Sequence, residues 1–163
     1  IKTCEILFLT VPYIHSHQII VKYQKELSRD QILVDVTVPI VFDKGPHLVD
    51  LGNLSGAEYL QNLLHSGPAV VAAFKTLPAN LLCEIGSPLN CDEFVCSDLS
   101  EAKARVLELV NTIPSLRWID SGPLSYSRSL EAITLLEIGL NRLHKVKNSR
   151  VQIVGLEDSG KEL

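Results

Sequence analysis

The chain has 163 residues, 46% of them hydrophobic, and a formal charge of −4, which is enough for one ordinary core and most simply one domain. No apolar run approaches the roughly 20 residues a membrane helix needs, and no block of Lys or Arg offers a nucleic-acid surface. Membrane spanning and nucleic-acid binding are therefore both disfavoured, and Lys22, Lys25, Lys145, Lys147 and Arg150 read as solvated faces. Cys4, Cys83, Cys91 and Cys96 form no C-x-x-C pair, so four reduced thiols of a cytoplasmic protein are expected. His15 and His17 are two residues apart and cannot share a helix face as metal ligands do. The sequence holds no methionine and opens on Ile1, five residues before its first apolar run, and an upstream segment is expected to be absent.

The first run, Ile6 to Leu9, stops at Thr10-Val11-Pro12. Proline lacks an N–H for a β ladder and pushes the preceding residue out of the helical region, so pairing ends there. Tyr13 to Leu27 has helical length, and the run from Gln31 to Val36 stops at Thr37-Val38-Pro39, giving a strand, helix and parallel strand. A loop with Gly45, Pro46, Gly52 and Asn53 follows. Ser55-Gly-Ala-Glu58 reads as a capping box opening a helix to about His65. Gly67-Pro68 breaks that helix, and Val70 to Phe74 runs into Lys75-Thr76-Leu77-Pro78. All three runs lack polar alternation, which suits strands covered on both faces. Each stop leaves backbone groups and a threonine hydroxyl free for the local loop or a flat polar ligand, at the sheet edge where open α/β folds hold ligands.

In the second half, Glu93 to Cys96 reads as a short strand, and Asp98-Leu-Ser-Glu101 as a second capping box opening a helix to about Asn111. Leu116 to Ile119 is a fifth strand, and Asp120-Ser-Gly-Pro-Leu124 turns into the longest helix, about Ser125 to Lys147. Leu130, Ile133, Leu136 (or Leu135), Leu140 and Leu143 make an apolar stripe suited to core or subunit packing, including a homodimer contact through this helix. Val151 to Leu156 is extended and apolar, and a charged tail closes the chain. The predicted fold is α/β, a Rossmann-like doubly wound, mostly parallel sheet without its first βαβ portion. Residues 1–90 form its second part, 91–157 a small C-terminal α/β part, and 158–163 a disordered tail. Asp35 on its buried strand is expected to bond nearby backbone amides. No G-x-G-x-x-G phosphate turn occurs anywhere, and no Ser/His/Asp set or paired carboxylates suggests acid–base chemistry.

Several strings in order resemble the NADPH-dependent reductases of the deazaflavin coenzyme F420, from their fourth strand to their C-terminus. They are Leu9-Thr-Val-Pro-Tyr13 with His15, Val34-Asp-Val-Thr-Val-Pro39, Val70-Val-Ala-Ala-Phe-Lys-Thr-Leu-Pro-Ala79, Cys91-Asp with Phe94-Val-Cys96 and Asp98, and Asp120-Ser-Gly-Pro-Leu124 with Ser127-Arg128. The resemblance implies an oxidoreductase passing hydride between NADP(H) and F420, with no catalytic dyad, because the protein mainly stacks two flat cofactors and excludes water. It places Thr10, Val11 and Pro12, with Tyr13 beside them, on the nicotinamide side, and Val38, Pro39, Lys75, Leu77 and Pro78 facing the deazaflavin, with Val151 and its neighbours closing over it. Two positions depart from the family pattern, which often has His where this chain has Lys75 and Gly where it has Ser97. Two other readings stay open: an NADPH-dependent reductase of another acceptor, flavin or metal, and a non-catalytic fragment of such a domain.

Overall fold

The computed structural model describes residues 1, 3–84 and 86–156; the expected disordered tail lies outside them. Strands β1 (Ile6–Leu9), β2 (Ile32–Asp35) and β5 (Ala69–Ala72) form a parallel sheet in the order β1-β2-β5, with Ile6 opposite Ile32 and Ile32 opposite Ala69. Helix α1 (Tyr13–Tyr23) connects β1 to β2, and α2 (Gly56–Leu64) leads into β5. Between them the expected loop pairs with itself, β3 (Ile40–Val41) running antiparallel to β4 (His47–Leu48). After the single helical turn α3 (Ala79–Leu82) come β6 (Cys91–Val95), α4 (Ser100–Val110), β7 (Leu116–Asp120), a 3-10 turn at Leu124–Tyr126 and α5 (Ser127–His144).

Strands β6 and β7 are parallel to each other, but β6 meets β5 head to tail. The Ala72 and Cys96 amides donate to each other's carbonyls at 2.9 and 3.0 Å, and the Ser97 hydroxyl donates to the Val70 carbonyl at 2.8 Å. The amino end of β6 therefore reaches past the carboxyl edge of β5 and brings Glu93 against Phe74.

The runs of β2 and β5 are buried on both faces, whereas β1, at the edge of the sheet, buries only Leu9 fully and leaves Phe8 exposed, because no strand among the described residues covers its outer side. Ile32, Val34 and Val71 face one apolar cluster with Val106 and Val110 of α4 and Trp118 of β7. Leu33, Val70 and Ala72 face the other, with Ile20 of α1, Leu60 of α2 and Leu130 of α5. Both clusters draw on residues before and after position 90.

The first capping box forms in full: the Ser55 hydroxyl accepts from Glu58 N–H at 3.1 Å, and the Glu58 carboxylate from Ser55 N–H at 2.7 Å. The second does not. Leu99 stands at the start of α4 with no side-chain cap, because the Asp98 carboxylate accepts the Leu124 amide at 2.9 Å and ties α4 to the turn before α5. The stripe on α5 is also out of phase. Leu136, Leu140 and Leu143 are exposed, and the inward face carries Ser127, Leu130, Glu131 and Glu137. Cys4 lies exposed before β1 rather than in a strand, and Cys96 is buried one residue past β6.

Candidate cofactor site at the carboxyl edge of the sheet

The stops after β1, β2 and β5 lie side by side because the three strands are parallel neighbours in register. At the second stop the threonine is consumed locally: Asp35 accepts the Thr37 amide at 3.0 Å and the Thr37 hydroxyl at 2.7 Å through the same oxygen. The expected bond from Asp35 to a nearby amide is thus present. Its other oxygen takes the Lys75 ammonium at 2.7 Å. Lys75 also donates to the Thr37 carbonyl and lies 3.4 Å from Glu131 Oε1. Glu131 is anchored in turn by the Gly56 amide at 3.0 Å and the Ser127 hydroxyl at 3.2 Å.

The Asp35 and Lys75 side chains are fully buried and that of Glu131 is 2% exposed. Burial raises the Glu131 carboxyl above its ordinary value, with Lys75 and the Gly56 amide pulling the other way. Tyr13 feels the same cluster: burial raises its phenol, and Tyr59, Glu131 and Asp35 add to the rise. A charge removed from water at this depth is tolerated only when paired and hydrogen-bonded, and each member of the triad meets that condition.

The third stop is shaped from behind. Phe74 adopts φ 57°, a left-handed conformation unfavourable for an aromatic residue. Its amide leaves the β ladder and donates to Glu93 Oε1. Glu93 is completely buried and its second oxygen has no partner; burial pushes its carboxyl up to about 8 despite the Phe74 and Phe94 amides and Lys75. Next along the loop, Leu77 and Pro78 line a cavity of about 220 Å³ closed on its far side by Thr134, Glu137 and Asn141 of α5. Pro39 lines a second, of about 190 Å³, with Arg128 and Glu131. A larger one, about 300 Å³, opens among Gln31, Ala69 and Arg105 at the opposite, amino edge of the sheet. Its Arg29 and Arg105 are engaged by the Ser66 carbonyl and Glu5.

The residues singled out in the sequence are therefore only partly gathered. Lys75, Leu77 and Pro78 share one cavity, and Pro39 is buried at the mouth of another. Thr10 and Pro12 are exposed beside half-buried Val11 and Tyr13, and Val38 is half-buried. Val151 lies along β6, its carbonyl accepting the Asp92 amide at 3.1 Å, and packs with Val11 against the same apolar cluster. The two departures acquire local reasons, since Lys75 pairs with both Asp35 and Glu131 while Ser97 clips β6 to β5. Sequence reasoning passed over Glu93, Glu131 and Glu137. The available signal for the last two was their helical spacing with Leu130, Thr134 and Ile138, which puts two acids on an otherwise buried face.

No family model matches the chain. The F420-dependent NADP reductase of Methanocaldococcus jannaschii is 36% identical over 159 residues, covering 96% of this chain and 70% of that protein. The chain belongs to the F420-dependent NADP reductase family. The reductase of the same name from Methanothermobacter thermautotrophicus is 32% identical over 160 residues, covering 96% of this chain and 68% of that one. Among solved structures, one from Arthrobacter sp. FB24 superposes with a TM-score of 0.83 at 23% identity, over 94% of this chain and 71% of that one. Plasmodium falciparum pyrroline carboxylate reductase, solved with NADP bound, does so with a TM-score of 0.56 at 14% identity, over 88% of this chain and 46% of that one. These two likenesses speak to the fold, which this member of the F420-dependent NADP reductase family shares with Rossmann-like reductases.

Proposed function

We propose that this chain exchanges hydride between NADP(H) and coenzyme F420, with the carboxyl edge of β1, β2 and β5 as the wall against which the two cofactors are stacked. The observation that carries the reading is the match to reductases of that name along 96% of the chain, so that the relatives align with all three strand stops. When bound, the nicotinamide and deazaflavin rings would supply the hydride chemistry as donor and acceptor, and the protein supplies position and a dry surface. Thr10, Val11, Pro12 and Tyr13 serve the nicotinamide side. Val38, Pro39, Lys75, Leu77 and Pro78 serve the deazaflavin, with Val151 bordering it.

The residues fit a flat heteroaromatic ligand. Leu77 and Pro78 offer an apolar face beside a cavity whose far wall is polar, with Glu137 Oε1 buried and unpartnered there. Lys75 acts through its position rather than by direct contact. Its ammonium is spent on Asp35, Thr37 and Glu131, and so pins the Thr76–Pro78 loop to the end of β2. No helix among the described residues is long and apolar enough to cross a membrane. The exposed Leu136, Leu140 and Leu143 on α5, with Val146 just past it, support homodimer packing along this helix, which sedimentation equilibrium would test.

The enzymatic reading is tested by mixing the purified protein with NADPH and F420 and following the visible absorbance of the deazaflavin. Bleaching is expected. Failure to bleach, with NADPH oxidised by a flavin or metal acceptor instead, would overturn the assignment of F420 while leaving the dinucleotide chemistry in place.

A further inference from the structure

Resting on the reading above, we propose that Glu137 is the proton-transferring acid of the deazaflavin side, releasing its proton as hydride crosses from NADPH and recovering it in reverse. The argument begins from an orphaned atom. Among the described residues two buried side-chain oxygens have no hydrogen-bond partner, Glu93 Oε2 and Glu137 Oε1. Such groups are costly and call for an explanation. Glu93 lines none of the described cavities and its other oxygen holds the Phe74 turn. Glu137 is 7% exposed, yet it lines the same cavity as Leu77 and Pro78. Among the described residues no hydrogen bond or ion pair uses its carboxyl; beyond the bonds of its own helix, its backbone carbonyl accepts the Ser149 hydroxyl at 3.3 Å.

The surroundings suit a group that holds a proton and then loses it. On its own helix the neighbours one turn away, Ile133, Thr134, Leu140 and Asn141, carry no charge. From the loop after β5 comes Lys75, already paired with Asp35 and Glu131; from beyond α5 comes Lys147 at the rim. From β6 the Cys91 thiol lies close enough to feel Glu137 and also feels Arg150. No cation among the described residues is bonded to the Glu137 carboxyl, and burial pushes it up to about 7, so the acid is protonated at mildly acidic pH and can dissociate near neutrality, where general acid catalysis is most effective. A cavity of about 220 Å³ has room for a ring edge or for water.

The balance closes with the substrates already named. The transferred C–H bond of NADPH breaks with its electron pair and a C–H bond forms on the deazaflavin, so NADPH is oxidised and the deazaflavin reduced. The proton that completes the two-electron reduction leaves Glu137 Oε1 for a ring nitrogen, and the carboxylate is reprotonated from solvent past Lys147.

The test is Glu137→Gln, which keeps shape and removes the proton. We expect kcat for F420 reduction to fall about 100-fold, the loss of rate above about pH 7 to flatten, and F420 affinity to change by less than about threefold, consistent with loss of an interaction made in the transition state. A readout without substrate is the infrared C=O band of a protonated carboxyl in the ligand-free protein, titrating near pH 7 and missing from Glu137→Gln. Glu137→Asp, which retains the acid, should keep the pH limb at reduced rate and serves if the glutamine variant does not fold. A glutamine variant with wild-type rate and pH profile overturns the inference, as does a wild-type protein with no such band. Wild-type protein that leaves F420 unchanged defeats the function and this inference together. Active wild type with an unaffected variant defeats the inference alone.

Discussion

Glu93→Gln should make the protein more stable at neutral pH and leave it unchanged in acid, and the size of the effect can be worked out. Burial lifts the Glu93 carboxyl from 4.5 to about 8. In the unfolded chain it ionises above about pH 4.5, whereas in the folded chain it keeps its proton until about pH 8. The folded value is the higher, so the stability this group contributes is complete below about pH 4.5 and is lost as pH rises through about 8. Each pH unit inside that window costs about 1.4 kcal/mol. Between pH 4.5 and 7 the loss comes to about 3 kcal/mol, and it levels off near 5 kcal/mol above pH 8. Glutamine never ionises, and its amide oxygen can still accept the Phe74 amide that Glu93 Oε1 accepts now. Urea unfolding of both proteins at half-unit pH steps should give coincident midpoints near pH 4.5 and a variant about 3 kcal/mol more stable at pH 7. Curves that stay parallel from pH 5 to 8 would refute the claim that Glu93 is buried as a neutral acid.

Lys75→Met would strand Asp35 and Glu131 in the interior, and a loss of 3–5 kcal/mol is expected by denaturant titration at pH 7; a loss below about 1 kcal/mol would mean the triad is not held as described. Ser55→Ala removes one arm of the capping box on α2 and should cost about 1 kcal/mol in the same titration. It should leave NADPH-dependent F420 bleaching unchanged, since Ser55 touches neither cavity.

The strands were legible because a buried parallel strand needs nothing beyond an apolar run and a stop, and Ile32 to Asp35 between Gln31 and Pro39 supplies both. The reversal of β6 was not, since direction depends on which carbonyl an amide meets: Cys96 with Ala72. The two capping boxes make the contrast sharper. Ser55 and Glu58 need only each other, so spacing sufficed. Asp98 has the same spacing from Glu101, but its carboxylate is required by Leu124, a partner no local pattern reveals. On α5 the leucines drew attention to a face that points outward. The face that matters holds acids, which read as solvent-seeking until the buried lysine that pairs with one of them is placed. The strand stops were thus readable as the rim of a site, and the charges beneath them were not.

The Asp35, Lys75 and Glu131 triad also bears on how this sequence can change over time. Its members come from the end of β2, the loop after β5 and the second turn of α5, so no single local segment sets their fit. Replacing Lys75 leaves two interior carboxylates uncompensated, and replacing Asp35 or Glu131 strips buried donors of their acceptor, whereas exchanging all three for well-packed apolar residues is a change that buried ion clusters elsewhere have tolerated. Single steps through these positions are steep in both directions. Lineages should therefore move between alternative sets at 35, 75 and 131 together, with intermediates surviving only where stability accumulated elsewhere covers the gap. The wall of the proposed site would then drift in coupled jumps while the surrounding surface varies freely.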